Sequence, residues 1–522
     1  MSDHDIVIAG AGHNSLVTAA YLAKAGFSVL LVEARDIVGG DTATEELTLH
    51  GFLHDSCSTA HTVLQSSPTI RDDELGLGDY GLEYISPDPV VHVPFPDGTS
   101  ITQWRDLDRT CAEFARFSAA DGQAFRTMIE DYEKVAPIFT AFRYTPIGYG
   151  PGIDERLAEH PEGKRWQRIR RWSAARVIFD HFEDARSRAF LLWMAFMTMQ
   201  PPQRQDTARL AYALPLGRQR HSWIIPKGGS AALPTALAAL VEDHGGTILT
   251  GRTVVDLVVE SGRCVGVETD DGEIHRADKA VLSTIHIKHL VEMATPELWG
   301  EEFRFGADTW EPGITMFAAH YATTEPPQFE DGLAPLAAGV PTSVERLLRV
   351  PDEFDRGIVA LDDPVLLCLC PTVADPSRAP DGHHTLKLIG FQPYDLSEGP
   401  EHWDTIKRDV AGANLEQLRR YAPNLTDETI LATTLKSPLD LERMNAHNWH
   451  GSCHGGDMGP DQMAGLRPAP GWAQHRTPIP GLYQTGATTH PGGSVTAGPG
   501  RNAATVMLKD LGSSLEQAIA AT

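Results

Sequence analysis

Basic charge is scarce in this chain: Lys and Arg total 44 against 70 Asp and Glu, a formal net charge of −26 over 522 residues. Phosphate backbones are held by a basic face, so nucleic acid is not an expected partner. Cysteine is scarce too, six in all, at 57, 111, 264, 368, 370 and 453. Only Cys368 and Cys370 are neighbours, in Leu366-Leu367-Cys368-Leu369-Cys370, and no second pair completes a metal set. They read as two core thiols on one strand face, with neither disulfide nor metal expected. Long apolar runs are missing as well. None reaches the roughly 18 uncharged residues of a membrane helix. The stretch Met1-Ser2-Asp3-His4-Asp5 has neither the basic nor the apolar part of a secretory leader. The expectation is a cytoplasmic protein with no integral membrane segment. What remains is ordinary globular material, 42% apolar and 22% charged, long enough for two domains around a core that encloses a ligand.

What is present is concentrated at the start. Asp5-Ile6-Val7-Ile8-Ala9 predicts a strand, Gly10-Ala11-Gly12 a tight turn, His13 to Ala23 a helix, and Ser28-Val29-Leu30-Leu31-Val32 a second strand ending in Glu33. Gly10 allows the turn, Gly12 lets backbone approach a pyrophosphate, and the first residues of the helix, His13, Asn14 and Ser15, present donors and positive potential. Glu33, 21 residues after Gly12, is placed to bind a ribose hydroxyl. Ser15 stands where the fingerprint has its third glycine, which predicts slightly looser helix–strand packing and no loss of binding. Ala34-Arg35-Asp36-Ile37-Val38-Gly39-Gly40 then brings a paired glycine beside the cofactor, followed by Asp41 and Thr42. Gly76-Leu77-Gly78-Asp79-Tyr80-Gly81 fits the same glycine pattern but sits after a helix and before a strand, the reverse order, and reads as a turn. No other stretch offers a second strand–GxGxxG–helix unit, so a separate NAD(P)H domain is not expected.

Residues 85–104 read as a hairpin around Pro96-Asp97-Gly98-Thr99, and 105–215 as mainly helical. The basic run Lys164 to Trp172 reads first as a solvated helix face, with an acidic membrane surface or anionic substrate as the alternative. Phe190 to Met199 is either a buried core helix or the lining of a substrate pocket. From Trp223 the order is helix, strand, strand, hairpin, strand, ending in the buried run to Ser283; this predicts a return to the nucleotide-binding sheet. Residues 290–430 are a second excursion of strands and helices. The tail, Leu482-Tyr483-Gln484-Thr485-Gly486-Ala487 through Gly493-Ser494-Val495 to Gly500-Arg501-Asn502, reads as strand, glycine-rich loop and helix. Glycines let backbone lie against a flat ring, and the helix N-terminus stabilises negative charge there.

The acid, basic residue and Gly-Gly stretch, the Val254 block and the glycine-rich tail, in this order, resemble the phytoene desaturase (carotenoid dehydrogenase-like) family of FAD-dependent oxidoreductases, within the flavin amine oxidase superfamily. The tail is similar to the branch not confined to carotenoids. The resemblance implies FAD, contacted through the backbone at Val254, and an α/β fold: a Rossmann-like FAD-binding domain (1–75, 215–290 and 432–522) with an interleaved α+β substrate domain (76–214 and 291–431). Many such relatives carry Arg after the Gly-Gly; Asp41 here leaves Arg35 as the local cation. The reaction it implies is removal of two hydrogens from a small or medium organic substrate, such as a cyclic ketone or acid, with O2 or a quinone reoxidising the flavin. A carotenoid or isoprenoid desaturase and a non-catalytic flavin-binding protein are the alternatives. Base candidates are His490, Tyr149, His61 and His54; a homo-oligomer is compatible with the sequence.

Overall fold

The computed structural model describes residues 4–341 and 343–521. Of the amino-terminal stretch read above, Met1 to Asp3 lie outside them.

The chain opens with β1 (His4–Ala9), α1 (His13–Lys24) and β2 (Val29–Val32). It leaves for β3 (Val91–Pro94), β4 (Ser100–Gln103) and a run of helices that includes α2 (Ala119–Arg143) and α3 (Ala185–Phe196). It returns through α4 (Ala232–Asp243), β5 (Thr247–Leu249), β6 (Val254–Glu260), β7 (Arg263–Thr269) and β8 (Ile274–Ser283). The second excursion holds α5 (Pro296–Asp308), β9 (Met316–Thr323), β10 (Ala337–Val340), β11 (Leu366–Leu369), β12 (His384–Phe391), α6 (Trp403–Arg419) and β13 (Ile430–Lys436). The tail is β14 (Leu482–Gln484) and α7 (Gly498–Asp510).

Two sheets result. The first runs β6-β7-β8-β1-β2-β5, with β14 paired to β8. Its centre is parallel: Ala9 lies beside Val32 and Ser283, and Ser283 beside Gln484. β1 and β2 are Val, Ile and Leu runs buried on both faces, as a central parallel strand requires. One face packs on α1, α4 and α7 through Leu16, Tyr21, Leu237 and Met507; the other packs on α5 through Trp299 and Phe303. Because the four strands end in register, the segments that follow them share one edge, the place where an open α/β sheet binds its ligand.

The second sheet runs β13-β9-β12-β11-β10-β3-β4, antiparallel except between β10 and β3. Trp193 of α3 and Phe114 seal one face, and Trp403 of α6 covers the other. The expected boundary at 431/432 cuts through β13, whose pairing with β9 runs to Lys436; that part of the tail belongs to the second sheet. Likewise α5, placed by the sequence with the substrate segments, packs with Val7 and Ala9 on the first sheet.

Local expectations resolve as follows. Residues 91–103 form the expected hairpin. The second glycine pattern is a short 3-10 turn between left-handed Gly76 and Gly81. α3 is buried along nearly its whole length, a core helix. The basic run is a short helix whose arginines meet acids: Arg170 on Asp154 at 2.8 Å, Arg171 on Asp206 at 3.1 Å. Cys368 and Cys370 are buried free thiols. No helix among the described residues is long and apolar enough to cross a membrane.

Candidate cofactor and active site

Gly10 turns the chain out of β1 with φ +94°, and an added Cβ would strike Thr284 Oγ1; only glycine fits. At Gly12 an added Cβ meets nothing within 4 Å, so the space above this backbone is open. Gly12 is the N-cap of α1, supplies no side-chain acceptor, and no acid follows in the first turn. The first amides of α1 are therefore left without a capping acceptor, and His13 Nε2 and Asn14 Oδ1 beside them are buried and unpartnered. An uncapped helix N-terminus of this kind takes an anion.

The Gly-Gly turn meets the first glycine turn directly. Gly39 N donates to Ala11 O at 2.8 Å, and Thr42 Oγ1 closes the turn on Gly39 O at 2.6 Å. Glu33 is nearly buried; its carboxylate accepts from Ala11 N at 2.7 Å and Arg35 N at 3.0 Å. Arg252 N donates to Glu33 O at 2.9 Å, which brings the start of β6, and Val254, beside the acid. Ala34 is exposed, and Arg35 is tied to Glu45 at 3.0 Å.

A second helix N-terminus converges on the first. α7 crosses α1 at Gly500, where a Cβ would press on the Asn14 carbonyl and, at 2.9 Å, on Val17; Thr18 Oγ1 donates to Gly500 O at 2.9 Å. The loop before α7 is held open: Gly486 has φ +96°, Ser494 +76° and Ala497 +59°. Gly493 lies against the His454 backbone, buried Arg467 donates to Ala487 O at 2.6 Å, Val495 is buried, and Ser283 O takes Thr485 N at 2.9 Å. Half-buried Gly12, His13, Gly40, Asp41, Ser58, Thr284, His447, Cys453 and Ala487, with exposed Ser494, mark a cleft from the glycine turn along this loop toward the second sheet. The residues present thus fit a dinucleotide: paired N-termini, a backbone close approach, and an acid at the adenosine end.

The four base candidates separate. His490 is 2% exposed, its Nε2 within 3.2 Å of Phe142 O and its ring edge-on to Phe142 at 5.2 Å; burial pushes it down to about 3. It belongs to the loop, with its ring packed on Phe142. His61 is fully buried with Nδ1 at 3.1 Å from Tyr84 Oη and Nε2 at 2.9 Å from Ser230 Oγ; both nitrogens are in use. His54 meets Thr48 Oγ1 at 2.8 Å. Tyr149 is corrected: its hydroxyl accepts from Arg476 at 3.0 Å within an outer network with Asp510 and Lys509, away from the cleft. Its placement depends on chain folding after Pro146, which no motif signals.

The sequence reading missed Asn445, His447 and Asn448. Asn445 and Asn448 both donate to Asp41 Oδ1 at 3.0 Å, and Asn445 Oδ1 accepts His447 N at 3.1 Å. Asp41, in the position where many relatives of the resembled family carry Arg, thus clasps this segment beside the Gly-Gly turn. Asn-x-His-Asn has no characteristic spacing, and only proximity reveals it.

Comparison with known proteins shows the family and the fold. Residues 16–506 match the family of flavin containing amine oxidoreductases. The mouse (Mus musculus) pyridine nucleotide-disulfide oxidoreductase domain-containing protein 2 is 28% identical over 98% of this chain and 94% of its own. One of the limonene dehydrogenase subunits of Castellaniella defragrans is 27% identical over 97% of this chain and 95% of its own; phytoene and zeta-carotene desaturases stand among further relatives. An oxidoreductase from Methanosarcina mazei shares the fold, with TM-score 0.61 at 18% identity over 97% of this chain and 99% of that one.

Proposed function

The chain belongs to the flavin-containing amine oxidoreductase family and is an FAD-dependent oxidoreductase, and on that premise we propose that it removes two hydrogens from a small or medium organic substrate. Bound FAD supplies the hydride acceptor. Gly10, Gly12 and the amides of His13, Asn14 and Ser15 would hold its pyrophosphate, and Glu33 its ribose, exchanging the Ala11 and Arg35 amides for hydroxyls. The Gly486–Val495 loop and the start of α7 would hold the ring, with the helix dipole favouring negative charge beside it. The observation that carries this reading is the crossing of α1 and α7 at Gly500, which brings the N-termini of the two helices together, that of α1 without a cap. O2 or a quinone is the proposed acceptor, since the described residues hold no strand–GxGxxG–helix unit beyond the one at the start of the chain.

A cyclic ketone or acid is the first substrate class. A second, isoprenoid hydrocarbon, is favoured by relatives named for limonene and carotenes. Anaerobic addition of each class to purified holoenzyme decides between them: loss of flavin absorbance with cyclohexanone-type compounds supports the first, loss with limonene or polyenes the second. Protein that stays colourless after incubation with FAD contradicts the proposal.

A further inference from the structure

A buried ammonium lacks an acid partner where the second sheet meets the segment that follows the Gly-Gly turn. His320 on β9 and Lys387 on β12 pair directly across their strands and so share a face. Lys387 is 4% exposed and donates to the Cys57 carbonyl. His320 is fully buried with both ring nitrogens unpartnered, and His54 packs edge-on against it at 5.5 Å. The nearby acid is already committed: Asp55 pairs with buried Arg378 at 2.9 Å and accepts from Thr44 Oγ1 and Ser230 N, each at 2.8 Å. Among the described residues no carboxylate comes within ion-pair distance of Lys387 Nζ. An unpaired buried ammonium costs several kcal/mol, and burial accordingly lowers the pKa of Lys387.

The cation lies one peptide behind the cleft. Ser58, next to Cys57, donates through N and Oγ to Asp41 O at 3.0 and 3.1 Å, and the Cys57 thiol hydrogen-bonds Cys453. Asp41, Ser58 and Cys453 are all half-buried members of the cleft strip. In a low-dielectric interior a full charge at this remove acts on whatever the cleft holds.

We propose that Lys387, flanked by His320 and His54, is a positioning cation that stabilises negative charge on the reduced flavin across the Cys57 peptide. This rests on the reading that the flavin occupies the cleft. It adds a full charge to the partial charges at the start of α7, on the opposite element of the fold.

The test compares wild-type holoenzyme with Lys387→Met, which removes the charge, and Lys387→Arg, which keeps it. The readouts are FAD-to-protein absorbance ratio, two-electron midpoint potential, and the dissociation constant of sulfite, which adds reversibly to oxidised flavin and leaves the ring negative. Lys387→Met should bind sulfite about tenfold more weakly and lower the potential by the ~30 mV that tenfold means for two electrons; Lys387→Arg should stay within about twofold of wild type. A Met variant that retains FAD with unchanged potential and sulfite affinity overturns the proposal. If that variant loses FAD, His320→Glu, which sets a carboxylate beside an intact Lys387, should show the same weakening, and an unchanged value there overturns it. Loss of FAD from all three variants makes the cluster structural and overturns it too. Wild-type protein that binds no FAD contradicts the flavin reading itself, before any variant is compared.

Discussion

Asp41 shows how much one side chain decides. In the position where the resemblance implies an arginine, it holds Asn445 and Asn448 by its Oδ1. Hydrogen bonds to a charged group contribute roughly 1.5–3 kcal/mol each. Asp41→Ala should therefore free the 445–448 segment and weaken FAD binding by about tenfold or more, measured by quenching of FAD fluorescence; an unchanged affinity would show that the clasp is incidental. His490 makes a complementary case. Its ring, held neutral by burial and set against Phe142, is packed within the loop proposed to hold the flavin. His490→Gln should lower FAD occupancy while the pH profile of flavin reduction in the remaining holoenzyme keeps its form. A vanished limb in that profile would make the histidine a base.

At the level of elements, the crossing of α1 and α7 is the joint on which the site depends. Gly500 permits it, since a methyl group there meets the Asn14 carbonyl and Val17. Overpacking of this kind costs roughly 1–3 kcal/mol. Gly500→Ala should lower the melting temperature and FAD affinity together, because the helix ends are displaced with the helices. Gly412→Ala, on α6 with nothing within 4 Å of the added Cβ, should be neutral or stabilising by up to ~1 kcal/mol. Differential scanning of the two variants checks the contrast; equal losses would show that helix packing at Gly500 is tolerant. The sequence signalled both helices, because Ala-rich runs after glycine turns have few alternatives. That the two meet at Gly500 was not legible, since it depends on partners almost five hundred residues apart.

For the whole molecule, burial sets the response to acid. His13, His54, His454 and His475 are pushed down to about 4, and His61 and His490 to about 3, against roughly 6.5 in an unfolded chain. Between those values the unfolded chain binds protons that the fold refuses, so stability is complete above about pH 6.5 and falls as pH drops toward 4. The urea midpoint should therefore be clearly lower at pH 5 than at pH 7.5, with a flat region above; a midpoint constant from pH 5 to 8 would contradict these burials. The sequence by itself determined the cofactor class and the first sheet, because β1, α1, β2 and the strands that rejoin them are fixed by local period and glycine turns. It also put most of the residues proposed to hold the cofactor, Gly10, Gly12, Glu33, Gly39 and Gly486 among them, at strand ends that the parallel register brings together. The tertiary structure alone decided what surrounds that edge. Tyr149 went to an outer ion network, β13 to the second sheet, and Lys387, His320 and Asp55 to one buried cluster. Those placements follow from packing and charge between distant segments, and neither leaves a periodic trace in the chain.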